Sequence, residues 1–295
     1  MSVLFLDITS IKIINKNRIT CGTVIAISGA MLMVADSIGF AGTQSISAIL
    51  SSIAGTYVSH GSNNFRMRTP MGINNTSPEQ FVEDMCALRH EHSRSIAIHT
   101  NYNPTLFKKL CDAKGIEYKT IVRNPHRQVR SCYSWAVKKF HEKDIGLIER
   151  VYHLAEKLQH VITPSIPNAL YLFALNHVMT FNLTSSLAGS KLVYMEQLLE
   201  SESYFRSTFN LPDNVVLDHF NGHEVRIRAH SKEAQQFDLP DPDIDRIHEV
   251  VSFHTPSGPF NFDAYIHKLG YQKADIFMYV PSASQLQSRP LQVAS

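Results

Sequence analysis

The chain has 295 residues, 44% of them hydrophobic, and a formal net charge of +2 with its 15 histidines counted as neutral. This is enough apolar material for a sizeable core, which excludes a disordered chain. It is too little positive charge for a nucleic-acid binder or a membrane-surface protein, so any anion site has to be local. Cys21, Cys86, Cys111 and Cys132 are scattered without a C-x-x-C pair. They read as thiols in a reducing compartment, neither a zinc site nor a disulfide framework, and a cytoplasmic location is expected.

Residues 1–30 form an N-terminal extension. The runs 3–6 and 11–14 suit an extra hairpin, and Met31 is an alternative start. Lys12, Lys16 and Arg18 ahead of the apolar run 21–35 resemble a signal peptide or anchor. That run is short for a bilayer and ends at Asp36, so it reads as leading into a strand, and no membrane span is expected. From Met31 the order becomes regular: strand 31–35, a loop 36–42 containing Gly39 and Gly42, then a helix opening with Thr43, Gln44 and Ser45. Ile46, Ile49, Leu50 and Ile53 fall on one face of that helix.

A short strand and turn follow at 57–61, then a long polar loop at 62–77 and a helix at 78–90. Strand 95–99 places His99 at its carboxyl end, and Asn103-Pro104 opens a helix to about 113. The β-favouring run 118–122 leads through Arg123 and Asn124 to Pro125, which suits a first helical turn. Val129, Cys132, Tyr133, Ala136, Val137 and Phe140 recur at helical spacing beyond it. Helices are expected at 145–161 and 168–181, with a break at 164–167, and both would shape a substrate pocket. A strand from Ser190 carries Tyr194 and Glu196 and leads to a helix ending at Leu211-Pro212. Terminal helices at 243–253 and 260–269 and a polar tail at 281–295 complete the chain. The pattern is an α/β domain over 31–280.

Two junctions carry chemistry. A strand, a glycine-bearing loop and a helix opening with hydroxyls hold phosphates through backbone N–H groups. The loop is not a Walker A sequence, because the required lysine is absent. Arg123 at a strand's carboxyl end, with Ser131 on the following helix, forms a second anion site at the edge where open parallel sheets bind ligands.

Arg123-Asn124-Pro125, with Ser131 eight positions after the arginine and an aromatic cluster beyond, resembles the 3′-phosphate motif of sulfotransferases that use 3′-phosphoadenosine 5′-phosphosulfate (PAPS). Ala41-Gly42-Thr43-Gln44-Ser45 is similar to part of their 5′-phosphosulfate loop, and the segment 190–212 to a third element of the family. The resemblance implies an α/β fold with a central parallel β-sheet flanked by helices, a P-loop NTPase-like three-layer sandwich, and PAPS as co-substrate without a metal. It also implies in-line sulfuryl transfer to a hydroxyl or amine of a small-molecule, carbohydrate or lipid acceptor. By it, Gly42, Thr43, Gln44 and Ser45 would hold the 5′-phosphosulfate and Arg123 and Ser131 the 3′-phosphate. His99 would be the catalytic base, with His60 and Glu79 in reserve; imidazole can take an acceptor proton near neutrality.

The sequence departs from the family at Phe40, which stands where the loop normally has its cation. Arg66 and Arg68 are the nearest later replacements. An Arg-Lys-Gly loop near the C-terminus is also missing; His223, Arg226 and Arg228 bring positive charge to that region. The alternatives are a nucleotide-binding protein that kept this fold and lost the chemistry, a small-molecule kinase, which the absent lysine argues against, and an interaction protein whose loops are ordinary turns.

Overall fold

Alternation of buried residues along the strands sets the architecture. In β2 (Met31–Asp36), Leu32 and Val34 pack in one cluster while Met33 and Ala35 pack in another. β4 (Arg94–Ile98) repeats the division, with Ala97 on the first side and Ile96 and Ile98 on the second. Apolar side chains on both faces require cover on both, the condition for a buried parallel sheet. In the computed structural model, which describes residues 4–7, 30–60, 77–158, 162–217, 220, 239–255 and 258–271, helices provide that cover. One face receives Phe81, Val82 and Met85 of α2 (Pro78–Ala87) and Phe107 and Cys111 of α3 (Pro104–Ala113). The other receives Ile46, Ile49 and Leu50 of α1 (Thr43–Ser51), Leu198 of α7 (Met195–Glu200) and Phe205 of α8 (Glu202–Thr208). The result is a three-layer α/β sandwich.

The central sheet has five strands, all parallel, in the order β3 (Thr56–His60), β4, β2, β5 (Glu117–Val122), β6 (Lys191–Tyr194). After β2 the chain first builds the side holding β3 and β4, then crosses to add β5 and β6. β2 therefore lies at the point where the strand order reverses, and the loops after β2, β4 and β5 share one edge there.

A third cluster gathers α4 (Pro125–His141), α5 (Ile145–Leu158), α6 (Ile166–Leu187), α9 (Ile244–Val250) and α10 (Phe262–Lys268). α6 is buried through most of its circumference and touches α3, α4 and α5, so it is the spine of this half.

One expectation changes. The terminal helix expected over 243–253 stops at Val250, and the β-branched and aromatic residues beyond it enter β7 (Val251–Thr255). β7 forms a separate three-stranded sheet between β1 (Leu4–Asp7) and β8 (Gly258–Phe260). β1 pairs in parallel with β7. Residues 11–14, the proposed hairpin partner, lie outside the described residues, as do the loop 62–76, Arg66, Arg68, His223, Arg226, Arg228 and the tail 281–295. Among the described residues, no helix is long and apolar enough to cross a membrane.

Candidate functional site

Asp36 closes β2 with a fully buried carboxylate at the switch point. It accepts hydrogen bonds from the Ser37 amide (2.9 Å), the Thr100 amide and hydroxyl (2.7 Å each) and the Tyr118 hydroxyl (3.0 Å). Burial pushes the carboxyl above the ordinary range, against the opposing pull of the Thr100 bonds, His99 and the Ser37 amide. One acid thus ties together the chain after β2, the chain after β4 and the start of β5.

The glycine loop 37–42 is held from outside by three side chains. His99 Nδ1 lies 2.7 Å from the Ser37 carbonyl oxygen, Gln128 Nε2 donates to the Gly39 carbonyl at 2.9 Å, and Arg123 Nη1 donates to the Phe40 carbonyl at 3.0 Å. These side chains come from the end of β4, the first turns of α4 and the end of β5. The loop leads into α1, which begins at Gly42 with no side-chain cap, leaving a helix start of the kind that takes an anion. Both loop glycines are required. Gly42 has φ +65°, and a Cβ there would stand 3.1 Å from Met195; Gly39 has φ +97°, and a Cβ there would stand 3.1 Å from the His99 ring.

The His99 tautomer follows from its partner. A carbonyl can only accept, so Nδ1 carries the proton and donates, which leaves the Nε2 lone pair available. His99 also has φ +58°, and Phe40 (φ +60°) and Asn101 (φ +62°) share the left-handed region on the same sheet edge. The His60 ring centroid is 5.6 Å from that of His99. Glu79, the other reserve base, is exposed in the first turn of α2.

Arg123, Asn124 and Pro125 form the turn expected. The Asn124 side chain caps α4 at the Arg127 amide (3.3 Å), and Pro125 occupies the first helical position. Glu196 accepts from the Asn124 amide (2.8 Å) and from the Tyr271 hydroxyl (3.0 Å). Tyr194 donates to the Leu269 carbonyl at 3.1 Å. Tyr194 and Glu196 thus hold the sheet edge to the C-terminal segment. Burial lowers the Arg123 pKa and the Glu196 carboxylate raises it again. A cavity of about 370 Å³ begins at Asn124, with Arg127, Tyr194, Glu196, Glu200 and Tyr271 in its wall.

Of the expected site residues, Gly42, Thr43, Gln44 and Ser45 open α1, and His99 and Arg123 both touch the loop before it. Ser131 sits half-buried in the second turn of α4, apart from this clamp. The Phe40 ring lies against Trp135 of α4, with centroids 5.8 Å apart. Three residues of the site escaped the sequence reading: Asp36, Thr100 and Gln128. Gln128 is fully buried beside Val129 on the apolar stripe of α4, and a lone amide in such a stripe was the available signal. Among the described residues, no group of His, Cys, Asp or Glu is arranged to hold a metal.

No protein-family model matches the sequence, and no curated protein matches it. Among solved structures, the chain is similar to a sulfotransferase from Alicyclobacillus acidocaldarius, at 13% identity over 64% of this chain and 85% of that one, with a TM-score of 0.40. It is also similar to mouse sulfotransferase SULT7A1 complexed with PAP, at 14% identity over 74% and 69% of the two chains, TM-score 0.37. A third likeness is to the tunicamycin resistance protein of Deinococcus radiodurans, at 10% identity over 55% and 92%, TM-score 0.28.

Proposed function

We propose that the protein is a sulfotransferase that takes PAPS at the carboxyl edge of its central sheet and passes the sulfuryl group to an acceptor hydroxyl or amine. The observation that carries this reading is the clamp: His99, Gln128 and Arg123 each hold one carbonyl of the glycine loop. With its carbonyls tied outward, the loop and the uncapped start of α1 are suited to present N–H groups to the 5′-phosphosulfate. Gly42, Thr43, Gln44 and Ser45 are the residues assigned to that group, and Arg123 and Ser131 those assigned to the 3′-phosphate. His99 Nε2 takes the proton of the attacking acceptor while the bond from sulfur to the bridging oxygen breaks, and PAP leaves. Positioning and charge stabilisation supply most of the rate in such transfers.

Calorimetric titration with PAP, and with ADP and ATP as controls, tests the nucleotide half of this reading. Binding of PAP that is at least tenfold tighter than of ADP or ATP is expected. Equal or absent binding of all three would remove the reading at its base.

One observation favours a second reading, a PAP-binding protein without transferase activity. Phe40 replaces the loop cation, and its ring is packed on Trp135. Tight PAP binding with no release of PAP from PAPS, across a panel of phenol, sugar and amine acceptors, identifies that case.

A further inference from the structure

A loop that receives a phosphosulfate without a cation of its own needs positive charge from elsewhere, because the phosphoryl and sulfuryl groups each bring a negative charge there. We propose that Arg123 is the cation and the brace of the 5′ loop as well as a ligand of the 3′-phosphate, so that both ends of the nucleotide depend on one side chain. The proposal rests on the nucleotide reading above and departs from a division of labour in which Arg123 serves the 3′ end alone.

Three observations converge on it. Arg123 Nη1 donates at 3.0 Å to the carbonyl of Phe40, the residue that occupies the cation's place in the sequence. The Phe40 ring is packed on Trp135, so the position is filled by an apolar side chain with a guanidinium against its backbone. Arg123 Nε is buried and has no hydrogen-bond partner among the described residues, so donor capacity is left over at the site. A buried N–H without a partner is costly, and an arriving anion would satisfy it.

The chemistry of the side chain permits the double role. Guanidinium presents five N–H donors in a rigid plane, so one edge can hold a carbonyl while another meets an oxyanion. The Glu196 carboxylate stabilises the charge without taking up the Nη1 contact. Removing the arginine would therefore loosen the loop and strip its positive charge together.

The test compares PAP with adenosine 5′-phosphosulfate, which has the 5′ group and no 3′-phosphate, on the wild-type protein and on Arg123→Ala. Affinities are read by calorimetry for PAP and by ligand-observed NMR at millimolar concentration for the weaker nucleotide, with unfolding of the unliganded proteins as a fold control. The expected result is a loss of about tenfold or more for adenosine 5′-phosphosulfate, and a larger loss for PAP. If only PAP weakens, falling to the level of adenosine 5′-phosphosulfate while the latter is unchanged, Arg123 serves the 3′-phosphate alone and the proposal is overturned. It is equally overturned if wild-type protein binds PAP but does not take up adenosine 5′-phosphosulfate at millimolar concentration. Wild-type protein that fails to bind PAP refutes the nucleotide reading itself, a result separate from these. Should the alanine variant not fold, Arg123→Lys carries the same comparison, since an ammonium lacks the fork that meets two partners at once.

Discussion

Position 99 sets backbone strain against side-chain placement. A non-glycine residue at φ +58° costs on the order of 1 kcal/mol, yet His99 is held there by its bond to the Ser37 carbonyl. Phe40 and Asn101 accept similar strain on the same sheet edge, and strained non-glycine residues gather where function requires a particular geometry. Asparagine separates the two roles of His99. It tolerates the left-handed region, and its amide can donate to the Ser37 carbonyl, but it offers no basic nitrogen. His99→Asn is therefore expected to fold and to bind PAP like wild type, while PAP release from PAPS falls about 10²- to 10⁴-fold with any acceptor that supports turnover. Undiminished turnover would remove His99 from the chemistry and leave it only a brace.

The loop clamp is a property of elements as much as of residues, and its centre is a relay through the core. Gln128 on α4, Asn182 on α6 and Tyr265 on α10 are all fully buried. Their polarity is dictated from the loop outward. The Gly39 carbonyl only accepts, so Gln128 presents Nε2 to it; Oε1 then accepts from Asn182 Nδ2 at 3.0 Å, and the same amide donates to the Tyr265 hydroxyl at 2.8 Å. Gln128→Met keeps the volume, leaves one Asn182 N–H without a partner and leaves the Gly39 carbonyl only the long contact from the Ser37 hydroxyl at 3.5 Å. A loss of about 2–3 kcal/mol in urea unfolding is expected, together with weaker PAP binding. Tyr265→Phe removes only the far acceptor and should cost about 1 kcal/mol, with PAP affinity unchanged. The reverse order of the two effects would mean that the relay does not set the loop.

This relay also marks where sequence reasoning stopped. The strands were legible as short β-favouring runs, and α2, α3 and α4 because their starts carry proline and capping side chains, as at Asn103-Pro104 and Asn124-Pro125. Gly42, His99 and Arg123 were legible because strand ends in a parallel sheet share one edge. Gln128, Asn182 and Asp36 were not, because each contact spans 54 or more positions or lies across strands, and no local pattern encodes such pairing. The strand β7 was missed for a related reason: its partner is residues 4–7, at the other end of the chain.

At the scale of the whole molecule, the half built around α6 makes stability depend on keeping imidazoles neutral. Burial, with Arg150 and His99 nearby, lowers His177 to about 4 from an ordinary value of 6.5. Burial, with His126 nearby, lowers His248 equally, against the pull of Asp263. His177 stacks on Phe173 (5.5 Å) and His248 on Phe262 (3.8 Å), and the Tyr171 hydroxyl lies 2.9 Å from His248 Nε2. Both rings belong to the packing as uncharged groups. Between pH 6.5 and about 4 the unfolded chain therefore binds more protons than the folded one, and linkage makes stability fall as pH falls through that window. Each histidine accounts for a loss on the order of 3 kcal/mol, complete below pH 4 and absent above 6.5. Asp36 acts in the opposite sense, since a carboxyl with a raised pKa favours the folded state as it becomes protonated. Urea unfolding followed from pH 7.5 down to 4.5 should show the decline, and His177→Phe, which keeps the stack on Phe173, should flatten it. A slope unchanged by that substitution would place the acid sensitivity in groups other than the histidines around α6.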